Sequence, residues 1–293
     1  MTQLAGSPQE PTSAAERLRA APPRTWLFVP ALRAPEWIPK AIATGADAII
    51  VDLEDATAPD GKDRAREIVR GLALGGDAPW RFVRVNPGPD ERFAADVAAA
   101  LAAGASGIVL PKGSRPEDVQ RVPAAIPAIL VQIETARGVL RALDLAEADP
   151  RVIGLGFGGE DLSADLGIAR TREIGEFPTA RSLVGLAAAA AGVSAVDTPW
   201  FDLADAPGAG REARAARRLG FSGKFVIHPS HVAAVNEAFT PTGEETARAR
   251  RIIEAFDAAV AAGSGIAKLD GRMIDLPVVV SARRVLARAE RRR

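Results

Sequence analysis

Cysteine and tyrosine are absent from the 293 residues, and histidine occurs only twice, at His228 and His231. Without thiols there is no disulfide, no thiolate metal site and no cysteine nucleophile, and nothing marks the redox state of the compartment. Acid–base chemistry then falls mainly to Asp, Glu, Lys and two imidazoles. Lysine is scarce too: Lys40, Lys62, Lys112, Lys224 and Lys268 are the full set. An excess of one charge is also missing, since Lys plus Arg and Asp plus Glu number 37 each. No net field draws such a chain to nucleic acid or to an anionic membrane, so neither is an expected partner. No apolar run is long enough to span a bilayer, and the first 24 residues lack the apolar core of a signal peptide. A cytoplasmic protein is the expectation.

What is present is a chain that can bury a large core, with 47% hydrophobic residues. Residues 1–24, dominated by Pro, Ser, Thr, Gln and Glu, read as a flexible leader. From Thr25 a unit repeats. TWLFVP (25–30) is a strand by its apolar, β-prone run, and APEWIPKAIATG (34–45) a helix closed by Gly45. AIIVDLED, WRFVRVN, GIVLPK, AILVQIET, RVIGLGFG, SAVDTP and GKFVIHP repeat the strand signal, each followed by a helical one. Eight strand–helix units at this length predict a closed (β/α)₈ TIM barrel over 25–240, ahead of a doubly wound open sheet, because the polar residues sit at the C-terminal ends of nearly all strands. Residues 241–293 form a C-terminal helical extension, an amphipathic helix, the loop SGIAKLDGRMIDLP and a basic helix, of the kind that covers a neighbouring subunit or the barrel mouth.

Strand alternation puts residues two apart on one face. Asp52 and Glu54, Arg84 and Asn86, and Gln132 and Glu134 are such pairs. Adding Lys112, Glu160, Asp161, Asp197 and His228 gives a ring of polar groups from seven strand ends, where barrel enzymes keep their catalytic residues. A strand-end carboxylate taken alone ordinarily caps the next helix or pairs with an arginine. A ring of them is costly to bury unless cations compensate it. With oxygen ligands dominant, Mg²⁺, Mn²⁺ or Ca²⁺ suits the ring better than zinc, and Mg²⁺, which takes one or two protein carboxylates, is favoured.

Other chemistries fit less well. A Schiff-base aldolase needs a lysine in the mouth; Lys224 starts its strand, and Lys112 is more simply a partner for the carboxylates. No GxSxG elbow accompanies His228. GLGFGG lacks the GxGxxG spacing, so its glycines serve close backbone approach or a tight turn.

LFVPALR, VDLEDATAPDGKDRAR, VRVN, GIVLPK, IETARGV, FGGEDLSADLG, GKFVIHPSHVAAVNEAFTP and DGRMIDLPVV, in that order, resemble the citrate lyase beta-subunit-like branch of the HpcH/HpaI aldolase family, from about Thr25 to the end of the chain. The resemblance implies a TIM barrel that uses Mg²⁺ to cleave or form a carbon–carbon bond in CoA thioesters such as citryl-, malyl- or citramalyl-CoA, yielding a 2-oxo acid, and that assembles as a homotrimer or hexamer. It implies that Glu134 and Asp161 bind the metal, and that Arg84 holds the carboxylate of the 2-oxo acid with help from backbone N–H groups around Gly159 and Glu160. It further implies that Asp275, supplied by a neighbouring subunit, is the catalytic acid/base. Asp52, Glu54 and Asp55, with Lys112, then become a supporting layer, the carboxylates orienting metal-bound water and pairing with Arg84, Lys112 or the basic groups of GKDRAR. DTPW and HPSH depart from the DGPY-like and HPSQ segments of the family, which leaves acyl preference open. A malyl-CoA-like thioesterase, a CoA-independent aldolase for hydroxy-keto acids and a non-catalytic subunit of a larger complex are the alternatives.

Overall fold

The structure is a computed structural model that describes residues 12–290 apart from 77, 172 and 175. Eight strands, β1 (Thr25–Pro30), β2 (Ala48–Asp52), β3 (Trp80–Arg84), β4 (Gly107–Leu110), β5 (Ile129–Ile133), β6 (Val152–Phe157), β7 (Ser194–Asp197) and β8 (Gly223–Val226), pair in parallel and in sequence order. β8 returns to β1 through Thr25 opposite Lys224, which closes the barrel. The expected TIM barrel is therefore the observed fold. The chain divides between Phe239 and Thr240 into two compact units, and the second holds helix Gly243–Ala261, the antiparallel pair β9 (Ala267–Leu269) and β10 (Arg272–Ile274), and helix Leu276–Glu290. The β9–β10 hairpin forms within the stretch read as loop.

Period-two alternation divides the core in two. Trp26, Ala48, Ile50, Phe82, Val109, Leu130, Val196 and Phe225 fill the barrel, whereas Leu27, Ile49, Val51, Val83, Ile108, Val131 and Val226 face the helices. Gly154, Gly156 and Gly158 of GLGFGG face this first layer, whereas Gly159 opens the following helix. A Cβ on Gly156 would stand 2.5 Å from the Phe225 ring, so the missing side chain is what lets that ring cross the barrel.

The leader corrects the composition reading. Helix Ala14–Ala20 forms there, opened by a reciprocal capping box in which Ser13 Oγ accepts from Glu16 N–H and Glu16 Oε2 accepts from Ser13 N–H. Ala15 and Leu18 join the barrel-filling cluster, Arg17 lies over Trp80 at 5.3 Å, and Arg19 Nη2 donates to Val152 O at 2.7 Å. Trp80 and Val152 open their strands, so the helix plugs the N-terminal end of the barrel. The earlier part of the leader, residues 1–11, lies outside the described residues. No helix among the described residues is long and apolar enough to cross a membrane.

Candidate active site at the strand C-termini

Asp52, Arg84, Gln132 and Glu134 continue the inward registers of Ile50, Phe82 and Leu130, so alternation alone carries them to the centre of the barrel's C-terminal end. Asp52 takes Arg84 bidentately, Nε to Oδ1 at 2.8 Å and Nη2 to Oδ2 at 2.7 Å. Glu54 Oε2 lies 3.0 Å from Arg84 Nη1, and Asp55 Oδ2, on a side chain 55% exposed, 3.3 Å from Nη2. The guanidinium also stacks over Phe28 at 4.8 Å. Burial works against its charge, yet Asp52, Glu54 and Asp55 hold it above the ordinary arginine range.

Lys112 ties this group to a second one. Its ammonium donates to Glu54 Oε1 at 2.6 Å and lies 3.8 Å from Asp161 Oδ1, while its backbone N–H donates to Glu134 Oε1 at 2.7 Å. The residue sits at φ 53°, a left-handed conformation that a lysine adopts at a cost of about 1–3 kcal/mol. Burial lowers the affinity of Lys112 for its proton, and the Glu54 contact more than restores it, leaving the group raised. Glu54 itself is raised by burial against the opposing charges of Arg84 and Lys112.

Glu134 is 1% exposed, and its Oε2 has no hydrogen-bond partner; Gln132 Oε1, beside it on the same face, has none either. Burial first, and then the charges of Asp161 and Glu54, push its carboxyl up to about 8. Gly158 makes room for it: a Cβ there would stand 2.7 Å from Glu134 Oε2. Asp161 follows in the first turn of helix Gly159–Leu166, whose C-terminus is closed by Gly167 at φ 68°. Among the described residues, Asp52, Glu54, Asp55, Glu134 and Asp161 thus face two paired cations, Arg84 and Lys112, an excess of three negative charges if all are ionised. Together with two buried oxygen acceptors that lack partners, this is a donor set fitted to a hard cation. No group of three or more Asp, Glu or His positioned for a metal occurs among the described residues; Mg²⁺ commonly takes one or two protein carboxylates and completes its shell with water or substrate.

An adjoining cavity of about 380 Å³ is lined by Phe28, Asp52, Arg84, Gln132, Glu160 and Asp161, among others. Of the two backbone donors expected there, Gly159 N–H is engaged by Thr198 Oγ1 at 2.9 Å, which leaves that of Glu160; the Glu160 side chain lies 3.3 Å from Arg170. Glu54, Lys112 and Glu134 stand in the charged cluster beside the cavity, and three further members of the sequence ring join neither. Asn86 is held by Asp96 and Lys62, and His228 contacts Ser230 at 2.7 Å. Asp197 points outward, because its neighbour Val196 occupies the inward position, and pairs with Lys224 and Arg181. Asp275 stands just before helix Leu276–Glu290, where Val278 N–H meets its Oδ1 at 3.4 Å. Lys62 was not singled out by sequence, yet its ammonium donates to Leu53 O, Glu54 O and Asn86 Oδ1 and ties down the turn after β2. The only signal for it was its place in GKDRAR.

An α/β barrel is a common frame, and strand-end residues separate its families. Residues 24–229 match the family model for HpcH/HpaI aldolase/citrate lyase, and the chain belongs to this family of lyase-type enzymes. Over 276 residues it is 37% identical to a (3S)-malyl-CoA thioesterase of Cereibacter sphaeroides, covering 93% of this chain and 96% of that protein. It is 35% identical over 283 residues to the citrate lyase subunit beta of Escherichia coli K12, with 91% and 93% covered. Among solved structures, protein CitE from Mycobacterium tuberculosis in complex with magnesium, acetoacetate and coenzyme A superposes with a TM-score of 0.80 at 37% identity, over 93% of this chain and all of that one.

Proposed function

We propose that the protein is a Mg²⁺-dependent carbon–carbon lyase that cleaves or forms a 2-hydroxyacyl-CoA thioester, of the citryl-, malyl- or citramalyl-CoA type, with a 2-oxo acid and an acyl-CoA on the other side. The observation that carries the reading is the pair Glu134 and Asp161: two carboxylates close enough to raise Glu134, with one buried oxygen left without a donor. Magnesium and coenzyme A beside acetoacetate in the M. tuberculosis relative support it. When bound, Mg²⁺ supplies a Lewis acid that favours ionisation of the substrate 2-hydroxyl. Glu134 and Asp161 hold the ion. Arg84 orients the substrate carboxylate; the Asp55 contact, the longest at 3.3 Å and the most exposed, is the one a substrate carboxylate displaces at Nη2. Gln132 and Glu160 line the same cavity, and the Glu160 N–H would complete the orientation. Asp275 of a neighbouring subunit moves the proton between its carboxylate and the α-carbon of the acyl product. The carbon–carbon bond breaks as the 2-hydroxyl gives its proton to the Asp275 carboxylate and the bonding pair passes to the acyl α-carbon, which then takes that proton from Asp275, so the two products account for all atoms.

Hydrolysis of the thioester is the second reading, favoured by the relative named (3S)-malyl-CoA thioesterase. One experiment separates the two. The isolated chain with Mg²⁺ is given citryl-, malyl- and citramalyl-CoA, and 2-oxo acid and free CoA are both scored. Oxo acid with acyl-CoA is expected; free CoA with an intact hydroxy acid transfers the protein to the thioesterase reading. Glu134→Gln and Asp161→Asn are expected to lose at least about 100-fold in activity while keeping the fold by circular dichroism. Full activity in either, or in chelator-treated enzyme, overturns the metal assignment.

A further inference from the structure

Behind the cavity lie four ionisable side chains that the proposed reaction does not use. Asp197, Lys224, Arg181 on helix Pro178–Ala190 and Glu212 on helix Ala206–Arg218 are each wholly buried. Lys224 Nζ meets Asp197 Oδ2 at 2.7 Å and Glu212 Oε2 at 2.6 Å; Arg181 meets Asp197 Oδ1 at 3.1 Å and Glu212 Oε1 at 2.7 Å. Two cations and two anions close a neutral square. Such a group adds little stability over apolar packing of the same volume, but it fixes the geometry of the backbone it grips. What it grips is Thr198, whose carbonyl oxygen accepts a further hydrogen bond from Lys224 Nζ at 2.5 Å.

The Thr198 side chain faces the other way. Its Oγ1 accepts the Gly159 N–H at 2.9 Å, and both groups are buried. A Cβ on Gly159 would stand 3.1 Å from that oxygen, and a Cβ on Gly158 2.7 Å from Glu134 Oε2. The Gly158–Gly159 turn is therefore clamped between Thr198 and Glu134, and Asp161 lies two residues further on in the same helical turn. We propose that Thr198, anchored from behind by the buried ion square, is a positioning residue that sets the turn carrying Asp161 against Glu134. This rests on the reading of that pair as the cation site.

Thr198→Val keeps the shape and removes the acceptor, which strands the Gly159 N–H; Thr198→Ser keeps the acceptor. The test measures Mg²⁺ binding to the metal-free chain by calorimetry for wild type, both variants and Glu134→Gln. Thr198→Val is expected to weaken Mg²⁺ by about tenfold or more, the scale found when a group supporting a ligand is lost, and Thr198→Ser to stay near wild type. In turnover, the KM for Mg²⁺ rises in Thr198→Val and kcat returns at saturating metal. Wild-type affinity in Thr198→Val, with Glu134→Gln abolishing binding, overturns the positioning role and leaves the metal site standing. Wild-type binding that Glu134→Gln does not reduce overturns the metal site and this proposal with it. Should Thr198→Val not fold, Thr198→Ala takes its place with the same expected weakening.

Discussion

Glu134 shows how one residue's environment can oppose the fold and serve the site. An unfolded glutamate loses its proton near 4.5, whereas in the fold burial and the charges of Asp161 and Glu54 hold the carboxyl up to about 8. Between those values the metal-free native state binds more protons than the unfolded one. The contribution of this residue to stability is therefore fully present below pH 4.5 and declines as pH rises through about 8, at no more than about 1.4 kcal/mol per pH unit. In the metal-free chain, Glu134→Gln should gain on wild type by a few kcal/mol between pH 5 and pH 8, measured as the difference in urea unfolding free energy. A difference that stays flat with pH would show that the carboxyl titrates normally. Saturating Mg²⁺ at pH 8 should restore wild type and leave the variant unchanged, since a ligand of the native state stabilises only the chain that binds it. The lost stability is thus the same property that readies the carboxylate for a cation.

At the scale of elements, the mouth was legible because three strands end an apolar run in a polar residue of the inward parity: Asp52 follows Ile50, Arg84 follows Phe82, and Gln132 follows Leu130. The same parity, applied to Val196, would have turned Asp197 away from the mouth; proximity to a strand end hid it. The leader helix was missed because Ala14–Ala20 is only 7 residues, too short to show an amphipathic period and set in a polar composition. Its one local signal was the S-A-A-E spacing of the capping box at 13–16. What holds so short a helix is burial of Leu18, 1% exposed, against the barrel-filling side chains. Leu18→Ala should cost about 2–5 kcal/mol by urea denaturation, the range for a large apolar side chain deleted from a core. A loss under half a kcal/mol would mean that the leader is flexible after all. The ion square, by contrast, had no sequence signal, since Arg181, Asp197, Glu212 and Lys224 come from four separate elements that only the closed barrel brings together.

For the whole molecule, the proposed cation ligands Glu134 and Asp161 lie in the barrel unit and Asp275 in the C-terminal one, so two folded units of the chain carry the proposed catalytic groups. The second unit has its own small core of Ala249, Ile252, Ile274, Val279 and Ala282, with β10 placing Ile274 inward immediately before Asp275. A packed footing of that kind suits the proton-carrying role proposed for Asp275. If Asp275 serves a neighbouring subunit in a homo-oligomer, Asp275→Asn lowers kcat by about 100-fold or more with little change in KM, while Glu134→Gln is inactive for lack of the cation. Each variant alone keeps about a hundredth of wild-type turnover or less, but the two are complementary. Coexpressed in equal amounts, a pocket with intact Glu134 meets an intact Asp275 from its neighbour in half of the cases, and only half of the pockets have Glu134. Random mixing should thus restore about a quarter of wild-type activity. An Asp275 that works on its own chain's pocket gives no recovery, because every chain then lacks one of the two groups. Light scattering on the same preparations supplies the second check, since a strict monomer removes the neighbour on which complementation depends.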